Sequence, residues 1–162
     1  MLLDTMRTHV EGLLVNNPTW ATELIEYQVE SASMVGNWSE VEDLVGRTEQ
    51  QSSSIVLGRV LLAMRSNDAD AVESSLLSAR KALGAPIAAT GPRGYRSSYE
   101  AVLDLHMLHE LHMIFLDSHG QDVNTRLDIL QKRLTARLDS IASTFRYREP
   151  VLSLRRTALA LQ

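Results

Sequence analysis

The chain contains no cysteine. Disulfides and thiolate-bound metals are therefore excluded, and a reducing compartment is compatible with the composition. No apolar run approaches the ~20 residues needed to cross a bilayer, which predicts no membrane partner. The opening MLLDTMRTHVEGLL lacks the basic flank and small-residue cleavage site of a signal peptide. Positive charge is not in excess: the formal net charge is -4, so no broad attraction to nucleic acid is expected. No serine sits in a nucleophile motif. Gly84, Gly91 and Gly94 follow no strand and precede no Gly-Lys-Ser/Thr, so they form no phosphate-cradling loop. No convincing strand pattern occurs anywhere.

What is present suits a soluble, folded chain: 44% hydrophobic and 22% charged residues over 162 positions, enough for one core or a short run of stacked repeats. Charge is unevenly placed. Residues 126–162 hold eight Lys/Arg against three Asp/Glu, and the other 125 hold eight against seventeen. Fourteen of the sixteen basic residues are arginine, which suits planar pairing with carboxylates. The basic third spreads its arginines over several helix faces with no aromatic platform between them, unlike a nucleic-acid footprint.

Apolar spacings of three and four predict helices throughout. Leu3, Met6, Val10 and Leu13 mark the first, which Asn16-Asn17-Pro18 stops. A second runs from about Thr19 to Val35, with Trp20, Leu24, Tyr27 and Ala32 inward. Gly36-Asn37 turns the chain. Ser39 and Glu42 have capping-box spacing for a third helix carrying Val41, Leu44 and Val45. After the polar run Glu49–Ser54, a fourth holds Ile55, Leu57, Leu61, Leu62 and Met64. Asn67-Asp68 breaks it and caps a fifth, which places Ala69, Val72, Leu76, Ala79 and Leu83 on one stripe. Gly84 is expected to end that helix, with Pro86 just beyond. The stretch 84–94 reads as a loop joining short hairpins (1–83) to longer helices (95–162). The longer helices span roughly Tyr95–Asp117 and Val123–Phe145, and a last one begins near Pro150 at its first helical position. Gly36 and Trp38, a glycine and an aromatic flanking one turn, resemble the junction of tetratricopeptide units, although no second such turn follows at 34 residues. The expected fold is all-α, about eight helices in antiparallel hairpins stacked as a TPR/HEAT-like superhelix.

His106, His109 and His112 invite a metal reading. They share one helix face, spread over about 120° at ~100° per residue, opposite Leu103, Met107, Leu111 and Ile114. His106 and Glu110 have i,i+4 spacing, but tetrahedral zinc needs four convergent ligands. A hydrated or interface-lining histidine face is the better reading, and no metal is expected. A small all-α enzyme built on this face is the catalytic alternative. In the last helix Val151, Leu154, Ala158 and Leu161 form a stripe that Leu152 and Leu159 widen. Arg155 falls inside that apolar arc and Arg156 at its edge. A guanidinium there must reach an acceptor or extend outward along its stem, and pairing of Arg155 with a carboxylate on an adjoining helix is expected.

The run REPVLSLRRTAL, with ARLDSI and YEAVLDLHMLHEL upstream, resembles the FAT domain of the phosphatidylinositol-3-kinase-related kinases, most of all its ATR-type DNA-damage checkpoint branch. Trp20, the Gly36-Asn37-Trp38 turn, Leu57-Gly58-Arg59, Tyr99 to Leu111 and Glu149 to Leu159 fall in the expected order. Glu149-Pro150 with Arg155-Arg156 is the specific part. The linker 84–94 and the connection Ser118–Asp122 do not align. The resemblance implies one FAT-type module over 1–162, an array of helical pairs around a kinase domain. It implies a parent serine/threonine kinase that uses ATP and magnesium, acts in the nucleus and signals replication stress. Neither a kinase catalytic loop nor Asp-Phe-Gly is in this sequence, so the segment itself is expected to be non-catalytic, with no cofactor. Its implied partners are the kinase domain, neighbouring repeats, and a partner subunit or second copy. The interface candidates are Trp20, Gly36, Trp38, Tyr99, Glu149, Pro150, Arg155 and Arg156. The alternative is a stand-alone TPR-like adaptor binding a peptide or partner helix. A module cut from an array would expose apolar residues at its ends, here Leu3, Val10 and Leu14, and Leu152 and Leu159.

Overall fold

A computed structural model describes residues 2–89, 95–118 and 123–161. Among these, all regular structure is helical. The α-helices are α1 Leu2–Asn16, α2 Ala21–Val35, α3 Trp38–Gly46, α4 Ser53–Ser66, α5 Ala69–Ala89, α6 Tyr95–Ser118, α7 Val123–Asp139 and α8 Phe145–Leu159. A 3-10 turn, Pro18–Trp20, joins α1 to α2. Neighbours in sequence pack as hairpins: α1 on α2, α2 on α3, α3 on α4, α4 on α5 and α5 on α6. Both α7 and α8 then lie on α6, and α2 reaches across to α8.

Turn chemistry sets these corners. Gly36 takes φ 82°, the left-handed conformation that costs other residues about 1–2 kcal/mol. Its amide and that of Asn37 donate to Ser33 and Ala32, satisfying the last carbonyls of α2. Trp38 opens α3 and packs against two hydrophobic clusters at once. The smaller is Ile25, Val29, Ala32, Val41, Leu44 and Ile55; the larger runs from α4 through α8. The glycine frees the turn and the tryptophan fills the seam behind it. Asn67, at φ 57°, ends α4, and the Asp68 carboxylate accepts from the amides of Asp70 and Ala71 to start α5.

Several expectations are corrected. Trp20 and Tyr27 are 43% and 46% exposed; the inward row of α2 is Ile25, Val29 and Ala32, one register over. The turn before α3 is braced by Asn37 Nδ2 donating to Glu40 Oε2 at 2.6 Å, and Ser39 lies inside the first turn. The fifth helix does not end at Gly84 but continues through Pro86 to Ala89. Pro86 has no amide for the Ala82 carbonyl, a loss offset by the long packing of α5 along α6. Of the supposed linker 84–94, residues 84–89 are therefore helical and 90–94 lie outside the described residues, as does most of the 118–122 connection. The helix expected over Val123–Phe145 stops at Asp139. Ser140 and Ile141 turn back onto Arg137 and Leu138 by hydrogen bonds of 3.2 Å, and Thr144 is extended. Serine and threonine hydroxyls there compete with helix bonding. The apolar period hid the break because Ile141 stays buried in the corner, whereas Phe145 is 83% exposed. The last helix thus starts five residues before Pro150, which sits inside it. At the chain's first end, Val10 is buried beneath α2 and Leu14 half-buried, while the Leu3 side chain lies outside the described residues.

Helix α6 is the hub. It meets α4, α5, α7 and α8 and buries Leu103, Met107, Leu108, Leu111, Ile114 and Phe115, an arc far wider than one stripe.

One close approach fixes α2 on α4. A Cβ at Gly58 would lie 2.8 Å from Val29 Cγ1, and Val29 is fully buried and stiff at χ1. Gly58→Ala gains ~1 kcal/mol of helix propensity but overpacks by about 1–3 kcal/mol. The expected urea denaturation shows a net loss of ~1 kcal/mol by that balance, restored when Val29→Ala is added. An unchanged midpoint would show that α2 and α4 part freely.

Candidate functional site

Two charged side chains lie in the core. Glu110 of α6 is 1% exposed and Arg155 of α8 is 8% exposed. Arg155 Nε donates to Glu110 Oε2 at 2.6 Å and Nη2 donates to Oε1 at 2.7 Å. Nη2 also donates to the Leu134 carbonyl of α7 at 2.7 Å. One guanidinium thus ties three helices, using the fork geometry that lysine lacks. His106 Nε2 lies 2.8 Å from Glu110 Oε1. Arg137 Nε stands 3.5 Å from the same oxygen, and its Nη2 donates to the His106 carbonyl at 3.4 Å.

Burial alone pushes the Glu110 carboxyl up. The hydrogen bonds from Arg155 and His106 and the charge of Arg155 outweigh it and hold the carboxyl below its ordinary value. Both carboxylate oxygens are engaged, so the cluster is a clamp between helices.

The carboxylate that Arg155 was expected to reach is therefore Glu110. Its burial was not anticipated, yet the signal existed: at ~100° per residue Glu110 falls about 20° from Leu103, inside the apolar arc. The three histidines of α6 do not converge. His106 serves the clamp. His112 lies between Arg80 at 3.2 Å and Glu73 Oε1 at 3.1 Å. His109 is exposed, its pKa lowered by partial desolvation and then by Arg137, His112, His106 and Arg80. Among the described residues no three His, Asp or Glu side chains are placed to share a metal ion.

The other singled-out residues scatter. Trp20 is at the surface of the α1–α2 junction. Gly36 and Trp38 form the α2–α3 corner. Tyr99 meets Tyr147 edge-on at 4.7 Å, and its hydroxyl accepts from the Ala142 amide at 3.0 Å, fastening the α7–α8 corner to α6. Glu149 accepts from the Ser153 hydroxyl at 2.7 Å. Pro150 is half-buried on the face turned to α4 and α6. Arg156 is exposed. Tyr147, in the first turn of α8, was missed because a lone aromatic carries no periodic signal.

Helical packing of this kind is common to many proteins, so the sequence relatives decide. The FAT domain family model matches residues 26–162. This chain belongs to the FAT domain family. Over 175 aligned residues it is 29% identical to Serine/threonine-protein kinase ATR of Arabidopsis thaliana, an alignment covering 94% of this chain and 6% of that protein. Proteins of the same name from Oryza sativa subsp. indica and subsp. japonica are each 27% identical over 176 residues, covering 95% of this chain and 6% of theirs. The FAT segment thus spans about 6% of the length of these curated relatives. No solved structure matches it.

The clamp makes two predictions for this FAT segment. Arg155→Met leaves Glu110 buried with only His106 and the more distant Arg137 beside it, for an expected loss of up to about 3–5 kcal/mol in urea denaturation, while Glu110→Leu with Arg155→Met recovers most of it. Equal losses in the single and double variants would show that packing, not the ion pair, sets the cost. Since the folded-state pKa of Glu110 is depressed, its stabilisation is complete above the unfolded value of about 4.3 and is lost as pH falls through the folded value. Wild type should therefore lose stability on acidification below pH ~4.3 more steeply than the double variant. Parallel curves would remove Glu110 from the acid response.

Proposed function

We propose that this chain is a non-catalytic helical segment of a large serine/threonine kinase of the ATR type, bracing the kinase domain and offering helix faces to neighbouring repeats. The family match over residues 26–162 carries this reading. Exposed apolar side chains support it: Leu127 at 53%, Leu152 at 48%, Leu159 at 45% and Phe145 at 83%. Each has its Cα on a helix whose other face is already packed, which leaves these side chains available to something further. In this reading ATP and magnesium belong to the kinase domain, the segment binds neither, and the parent works in the nucleus. Trp20, Arg156, Leu152 and Leu159 are the outward contacts. Gly36, Trp38, Tyr99, Pro150 and the Arg155 clamp keep the faces in register, and Glu149 of α8 lies near enough to Glu30 of α2 for its charge to raise that carboxyl.

The test compares two polypeptides, this segment alone and a longer one that includes the flanking repeats and the kinase domain. Leu152→Asp with Leu159→Asp should leave the segment folded by circular dichroism and reduce its self-association in light scattering. In the longer polypeptide the same pair should lower ATP-dependent phosphorylation several-fold, the scale of the ~0.5–2 kcal/mol couplings carried by packed elements. Full phosphorylation by the doubly charged variant would defeat the bracing role and favour an adaptor.

A further inference from the structure

A cleft runs between α2, α4, α6 and α8. Its two adjoining halves measure about 60 and 240 Å³, and Ser54, Leu57, Met107 and Pro150 line both. The rim is acidic. Glu30 stands on the exposed lip of α2, and Asp104 is half-buried on α6. Glu30 accepts from the Ser54 hydroxyl at 3.5 Å and Asp104 bonds to the hydroxyl of Ser53. Among the described residues neither has an arginine or lysine partner. The rim cation, Arg146, is already held by Glu100 at 2.7 Å.

Physical chemistry makes this arrangement costly. Burial raises the Glu30 carboxyl, Glu149 and Glu26 push it the same way, and Ser54 opposes them. Burial raises Asp104 as well, against Ser53 and with Glu100. A half-buried Asp104 without a counter-charge costs stability, as does a Glu30 crowded by Glu149 and Glu26, and groups kept for function carry such costs. Pro150, which lines both halves, supplies no amide to the turn of α8 before it.

We propose that this cleft docks a partner segment that carries arginine or lysine among leucine-sized side chains. Its apolar side chains lie on Leu57, Met107, Pro150 and Leu154, and its cations meet Glu30 and Asp104. Arginine fits best, since its fork of donors matches a carboxylate bidentately. The inference does not rest on the bracing role, because an adaptor with this cleft would hold the same partner.

The test uses this chain with its methionine methyl groups labelled for NMR, with Met107 as reporter. The probe is a short helical peptide of leucine, alanine and arginine, beside a twin with glutamate for each arginine. The arginine peptide should shift the Met107 methyl resonance and the twin should not. Glu30→Gln with Asp104→Asn should weaken binding by about tenfold or more while leaving the melting temperature equal or higher. Equal binding of the two peptides, no shift with either, or unweakened binding by the double variant would overturn the proposal. A fall in melting temperature would also overturn it, since the two carboxylates would then be serving the first turn of α4 instead.

Discussion

Burying Glu110 beside Arg155 is the constraint on which the C-terminal half depends. Either charge alone in the core would cost several kcal/mol, so each admits the other only in one geometry. That geometry demands α8 against α6 at the level of Glu110, with the Leu134 carbonyl of α7 within reach of the same guanidinium. Apolar side chains slide past each other with small penalties; a bidentate pair does not. An apolar replacement of both charges would be expected to hold the helices about as firmly. What the pair adds is register, which fixes where the outer faces of α6, α7 and α8 stand relative to one another.

The same logic explains why the three histidines and the glutamate of α6 do not converge. The helix is enclosed by α4, α5, α7 and α8, so its polar residues are shared out among neighbours. His106 turns to Glu110, and His112 to Arg80 and Glu73. Spacing along one helix says which residues share a face. It does not say how many helices divide that face.

This marks the limit of what the sequence could disclose. The helices, the Gly36 corner, the Asn67-Asp68 break and the inward Arg155 were legible because each has a local cause: a period, a left-handed residue, a cap, a charge in an apolar arc. The misreadings at Pro86, Pro150 and Ser140–Thr144 share the opposite character. Proline was read as a boundary from local cost alone, yet packing on α6 outweighs that cost in both α5 and α8. The α7–α8 corner was invisible because Ile141 keeps the apolar period intact across the turn. Trp20 and Tyr27 were placed inward because they are large, whereas Val29 packing beneath Gly58 fixes the rotation of α2.

Helix α8 is where the internal and external demands meet. Arg155 points to Glu110, Pro150 and Leu154 line the acidic cleft, and Leu152 and Leu159 face outward. Three faces of one short helix therefore serve the core, the cleft and the outer surface. A contact that rotates α8 from outside must strain the two arginine–carboxylate bonds, and these break over a few tenths of an ångström, not gradually. Small displacements are then resisted until the clamp yields as a unit. Packed elements held in this way pass on discrete changes of position, and α8 meets α6 through Arg155 as well as through Val151 and Ala158 in the shared apolar core.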